Sequence, residues 1–192
     1  MDLARRLAER GRYTVAPNPL VGAVVARDGA AISECWHVRA GGEHAEVGAL
    51  RGAGEAARGA TMYTTLEPCN HHGRTPPCTE AILGAGIARV VIGHLDPNPR
   101  MRGKSVEILR RAGLEVEVVD DPAFERQNEQ FMHYMRTGRP FVHLKLAATL
   151  DGRIAAAGGD SKWVTGEAAR LRAHQLRAEA GAVLVGANTP PV

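Results

Sequence analysis

Residues 79–119, TEAILGAGIARVVIGHLDPNPRMRGKSVEILRRAGLEVEVV, carry the pattern on which the fold turns. Thr79–Leu83 is helix-forming and stops at Gly84-Ala85-Gly86, and Arg89–His94 is a β-branched run of strand type. Lys104–Ala112 is helix-forming again, ended by Gly113, and Leu114–Val119 reads as a second strand. Strands separated by helices of this length are joined by right-handed crossovers and lie parallel in one sheet. Upstream the alternation continues, with a helix over His44–Arg51 and a strand over Thr61–Leu66. Downstream, Pro122–Met135 reads as one helix.

Nearer the N-terminus the pattern is different. Leu20–Ala26 and Ala31–Trp36 are β-like runs flanking Asp28-Gly29, a hairpin signal, so the sheet opens with an antiparallel pair. Before them, Asp2–Arg10 places Leu3, Ala4, Leu7 and Ala8 at helical spacing. Thr14–Pro19 is a turn, because each proline removes a donor and forces its predecessor into extended backbone. The fold class expected is α/β: a three-layer α/β/α domain with a mixed sheet, over residues 1–139. Thr137-Gly-Arg-Pro140 reads as a linker. Residues 140–192 form a second, incomplete segment in which Phe141–Leu150 and Ala182–Val185 look strand-like but lack a full set of partners. That tail is expected to be partly disordered or buried against another subunit.

Composition narrows the function. The chain has 192 residues, 44% of them hydrophobic, with 24 Lys and Arg against 21 Asp and Glu for a net charge of +3. This length suits one full domain plus a fragment. No apolar run approaches the roughly 18 residues of a membrane span, and the start MDLARRLAER has no signal-type apolar core, so a soluble cytoplasmic protein with no membrane partner is expected. The small excess of scattered basic charge, with only 3 Phe, 3 Tyr and 2 Trp, argues against nucleic acid as a partner. Three Cys do not make a disulfide framework, and metal ligation or catalysis is the use they suggest.

The chemistry concentrates in His44-Ala45-Glu46, then Pro68-Cys69 and, after the eight residues 70–77, Cys78. One imidazole and two thiolates supply three corners of a tetrahedral Zn²⁺ site and leave the fourth for water, the arrangement of catalytic zinc. Cys35 is the candidate that could close the fourth corner. A carboxylate beside such a site can take the proton of a metal-activated water and return it to a leaving group, and Glu46 is placed to do so. A purely structural zinc clip is the alternative, and it needs neither Glu46 nor an open corner.

An H-x-E triplet followed by a P-C…C pair resembles the signature of zinc deaminases, departing from it only in the Cys spacing. LEPCNHHGRTPPC at 66–78, HAE at 44–46 and APNPLVGAVV at 16–25 together resemble the bifunctional riboflavin-biosynthesis deaminase/reductase family, whose deaminase domain is cytidine-deaminase-like. DPNPR at 96–100, PFVHLKLAATLDGRIA at 140–155 and SKWVTG at 161–166 fall in that family's order, so the resemblance runs the length of the chain. It implies hydrolytic deamination of 2,5-diamino-6-(5-phosphoribosylamino)pyrimidin-4-one to the 5-amino-uracil and ammonia. It also implies one Zn²⁺ per chain on His44, Cys69 and Cys78, with Glu46 as acid/base.

By the same resemblance Asn18, His37, His71, Arg74, Asp96 and Asn98 line the pocket of a phosphorylated aminopyrimidine. Asn18 and Asn98 can give and take hydrogen bonds at a pyrimidine edge. His71 and Arg74 are both candidates for the phosphate, Arg74 through its planar fork of donors. His72, His94, His133, His143 and His174 are read as structural. A dimer or tetramer is implied as well.

Residues 140–192 resemble the opening of the family's dihydrofolate-reductase-like domain, with Lys145, Asp151, Gly152 and Lys162–Gly166 matching its first ligand-contacting segments. NADPH would be a cofactor only with a complete reductase domain, so no reductase activity is expected of this chain alone. Competing readings are a paralogous deaminase of a related pyrimidine or pteridine, a nucleic-acid-editing deaminase, and a non-catalytic zinc-stabilised binding subunit.

Overall fold

The computed structural model describes residues 1–73, 75–99 and 101–187. They divide into two compact units, Met1–Phe141 and Val142–Val192.

The first unit is built on five strands: β1 (Gly22–Arg27), β2 (Ala30–Trp36), β3 (Thr61–Thr64), β4 (Arg89–Ile92) and β5 (Glu115–Val118). Their order is β2-β1-β3-β4-β5. β1 is antiparallel to β2 and β3, whereas β3, β4 and β5 run parallel, giving the mixed sheet expected. The β1–β2 turn has Asp28 at φ 51° and Gly29 at φ 79°, the left-handed pair that a two-residue hairpin matching strand twist requires. At the far edge, Glu115 and Glu117 point outward and pair with Arg89, and this charge blunts an otherwise open strand edge.

Alternation along β1 assigns the two faces. Val24 packs with Ala4 and Leu7 of α1 (Asp2–Glu9) on one side. Gly22 lets α1 approach, since a Cβ there would lie 2.0 Å from the Ala4 carbonyl oxygen. Gln127, at the end of α5 (Pro122–Gln127), donates to the Arg5 carbonyl at 2.8 Å and so sets α5 beside α1. On the other side Ala23 and Val25 enter the main core with Met62, Val90 and Ile92. Ala49 and Leu50 of α2 (Ala45–Ala53), Ile82 of α3 (Cys78–Gly84) and Leu109 of α4 (Lys104–Arg111) cover it. Each such aliphatic side chain contributes about 1.5–3 kcal/mol by leaving water. Helices on both faces make the three layers.

The single helix expected over Pro122–Met135 is instead two, α5 and α6 (Glu129–Thr137), broken at Asn128. The Asn128 side chain is buried and behaves as a strand partner: Oδ1 accepts from Leu20 N at 2.7 Å and Nδ2 donates to Leu20 O at 2.9 Å. Holding both bonds forces its backbone out of helical geometry.

In the second unit the one regular element among the described residues is α7 (Glu167–Glu179). The strands expected over Phe141–Leu150 and Ala182–Val185 are absent, because no neighbouring strand takes their hydrogen bonds. No helix among the described residues is long and apolar enough to cross a membrane.

Candidate metal centre

Three chain segments deliver the candidate ligands. His44 is the N-cap of α2, extended at ψ 153°, so its ring projects from the helix start. Cys78 opens α3, and its backbone N–H donates to Cys69 Sγ at 3.3 Å across the intervening loop. His44 Nδ1 lies 3.2 Å from Cys78 Sγ and 3.5 Å from Cys69 Sγ, and one donor atom from each residue fits within 4.8 Å of the others. A tetrahedral zinc with bonds of about 2.3 Å to sulfur and about 2.0–2.1 Å to nitrogen sets neighbouring donors about 3.6–3.8 Å apart. The donor set and spacing therefore fit that ion. Thr75 Oγ1 sits 3.4 Å from His44 Nε2, the outer partner that orients a ligating imidazole.

Cys35 is not part of this group. Its Sγ turns to the Trp36 carbonyl at 3.6 Å and lies where a Cβ on Gly48 would come within 2.4 Å. Gly48 is thus the residue that lets α2 settle on β2.

The two thiols differ in their hold on protons. Cys69 is held down to about 4, chiefly by the hydrogen bond from Cys78 and then by His44. Cys78, which gives that bond and is buried, is pushed up. Metal binding must expel its proton. Glu46, in the first turn of α2, is buried, and Thr64 Oγ1 donates to its Oε1 at 3.4 Å while its Oε2 stands 3.6 Å from Cys78 Sγ. Burial raises its carboxyl above the ordinary value, which suits a group that must hold a proton briefly near neutral pH.

The candidate pocket residues gather unequally. His37 is buried edge-on to His44, with ring centroids 5.5 Å apart. Its Nδ1 donates to the Glu43 carbonyl at 2.9 Å, which leaves Nε2 to accept from Asn18 Nδ2 at 2.9 Å. Burial lowers its basicity, so it stays neutral. Asp96 Oδ1 accepts from Asn98 N at 2.7 Å, closing an Asx turn. The Asp96 carboxyl is raised chiefly by burial, with Glu67, His71 and Cys69 among the charged groups that act on it. His71 is exposed. Arg74 lies outside the described residues. His94, read as structural, is buried with Nδ1 2.8 Å from Asp120.

Sequence reasoning missed Glu67. Its buried carboxylate accepts three backbone N–H groups, from Asp96, Gly103 and Ser105. The available signal was an acidic residue directly before Pro68-Cys69, in a place where burial is dear without partners.

Residues 1–94 match the family described as the cytidine and deoxycytidylate deaminase zinc-binding region, and residues 140–190 match the RibD C-terminal domain. The riboflavin biosynthesis protein RibD of Aquifex aeolicus is 54% identical over 190 residues, covering 98% of this chain and 53% of that protein. The chain belongs to the RibD family. Among solved RibD structures, that of Acinetobacter baumannii superimposes with a TM-score of 0.89 at 50% identity, over 94% of this chain and 51% of that one. A diaminohydroxyphosphoribosylaminopyrimidine deaminase/5-amino-6-(5-phosphoribosylamino)uracil reductase from Thermotoga maritima gives 0.86 at 48% identity, over 92% and 51%. The chain spans about half the length of the RibD relatives it matches.

Proposed function

We propose that this chain catalyses zinc-dependent hydrolytic deamination of 2,5-diamino-6-(5-phosphoribosylamino)pyrimidin-4-one, giving 5-amino-6-(5-phosphoribosylamino)uracil and ammonia, a step of riboflavin biosynthesis. The observation that carries the reading is the convergence of His44, Cys69 and Cys78 on one point with the buried Glu46 carboxylate against it. The Thermotoga relative is named as a diaminohydroxyphosphoribosylaminopyrimidine deaminase, and the likeness of this chain to it supports the transfer.

His44 Nδ1 and the Cys69 and Cys78 sulfurs would hold one Zn²⁺. Bound there, such an ion would supply Lewis acidity, lowering the pKa of a water toward about 7. Glu46 would take one proton from the attacking water to the pyrimidine ring nitrogen, where it stays in the product, and then carry the remaining hydroxyl proton to the exocyclic nitrogen, which leaves as ammonia. The carbon exchanges its C–N bond for C=O, so one water is consumed per ammonia released.

Asn18 gives one Nδ2 hydrogen to His37, and its Oδ1 and second N–H are the groups that would meet the pyrimidine edge. Asp96 and Asn98 read the ring from the other loop, and His71 or Arg74 holds the phosphate. We assign residues 1–139 to the deaminase. Residues 140–192 are assigned to the start of a reductase domain, a reading supported by the match of residues 140–190 to the RibD C-terminal domain. Homo-oligomerisation and a cytoplasmic location belong to the same proposal. Incubating the zinc-loaded chain with the diaminopyrimidine phosphate tests it: stoichiometric ammonia is expected, and none would defeat it.

A further inference from the structure

We propose that Glu67 is a positioning residue that locks the substrate-reading loop 96–99 to the metal-ligating loop, an inference that rests on the deaminase reading above. Glu67 is 5% exposed and lies three residues beyond the end of β3, two residues before Cys69. Its Oε2 accepts from Asp96 N at 3.1 Å and Gly103 N at 2.9 Å, and its Oε1 accepts from Ser105 N at 3.0 Å. The backbone is stitched in the same place: Glu67 N donates to His94 O at 2.9 Å, and Ser105 Oγ donates to Pro68 O at 2.6 Å.

Three separate pieces thus meet on one carboxylate. They are the strand that leads into Cys69, the Asp96-Pro97-Asn98 turn, and the amide end of α4. Pro68 stiffens the link between Glu67 and Cys69. None of the hydrogen bonds of Glu67 reaches His44, Cys78 or Glu46, so it neither ligates nor transfers protons. What it fixes is the displacement between the reacting centre and the loop that reads the ring. A buried carboxylate suits this work: two oxygens accept several N–H groups at once, which no neutral side chain of that length can do.

Glu67→Gln keeps the shape and replaces one acceptor oxygen by a donor that faces an N–H. Measured on the full chain with the diaminopyrimidine phosphate, this variant should keep one zinc per chain. KM should rise on the order of tenfold while kcat stays within about threefold, the signature of lost binding geometry without lost transition-state chemistry. Leu109→Ala, a core truncation in α4, is the control for lost stability: with a comparable drop in melting temperature its KM should not move. An unchanged KM in Glu67→Gln, or an equal KM rise in the control, overturns the positioning role. A second arm needs no turnover. Amide hydrogen exchange at Asp96, Gly103 and Ser105 should accelerate in Glu67→Gln while exchange across the β1–β2 hairpin is unchanged, and unaltered exchange at all three amides overturns the clamp. If the unsubstituted chain releases no ammonia from this substrate, it is the deaminase reading that has failed, and the exchange arm still decides the clamp.

Discussion

Residues 61–64, Thr-Met-Tyr-Thr, and 142–146, Val-His-Leu-Lys-Leu, are both short runs of strand-like character, yet they occupy opposite environments. Met62 and Thr64 are fully buried, with β1 on one side of their strand and β4 on the other. Val142, Leu144 and Leu146 are 84%, 76% and 73% exposed, and their backbone pairs with no strand. The second run has the more regular alternation of the two, so what separates them is the supply of partners. A strand needs at least one neighbour to take its backbone hydrogen bonds, and a strand-like run becomes one only where the topology delivers it. The contrast extends to function, since every candidate catalytic group stands on the framework of the first unit.

The strongest way to break this contrast is at the ligands. His44→Ala or Cys78→Ser should abolish both zinc binding and ammonia release, as shown by metal analysis on the purified chain, with residues 142–187 unaffected. Next, Glu46→Gln should retain zinc while turnover falls by about 10² to 10⁴, the usual contribution of a positioned acid/base. Steady-state ammonia release separates the two roles.

The packing half of the comparison predicts smaller effects. Met62→Ala should cost about 2–5 kcal/mol in urea unfolding, because it opens a cavity at a site with no exposure. Leu146→Ala should change the unfolding free energy by about 0.5 kcal/mol or less, as expected of an exposed side chain. Equal losses at the two positions would erase the distinction.

The smallest effect is in pH. Burial holds His37 below its ordinary value of 6.5, so the unfolded chain takes up that proton first as pH falls. Its contribution is complete above about pH 6.5 and is lost as pH falls toward the lower native value. Stability measured from about pH 7 down to about pH 5 should therefore decline, and less steeply in His37→Asn.

Much of this architecture was legible because its causes are local. The Asp28-Gly29 hairpin, the helix stops at glycine and the His44/Cys69/Cys78 set all follow from residues read in order. What escaped was set by contacts remote in sequence. The α5–α6 break exists because Asn128 bonds both backbone groups of Leu20, and nothing near position 128 announces that. Glu67 likewise acquires meaning only when residues 96, 103 and 105 come to it. Conversely, Phe141–Leu150 reads as a strand because periodicity records a preference and cannot record whether partners arrive.

X-ray absorption at the zinc edge of the zinc-loaded chain tests the open coordination site most directly. The expected shell is two sulfurs at about 2.3 Å and two light nitrogen or oxygen atoms at about 2.0–2.1 Å, unchanged when Cys35 is replaced by Ser. A third sulfur that disappears in Cys35→Ser would mean a closed structural site and would contradict the catalytic account.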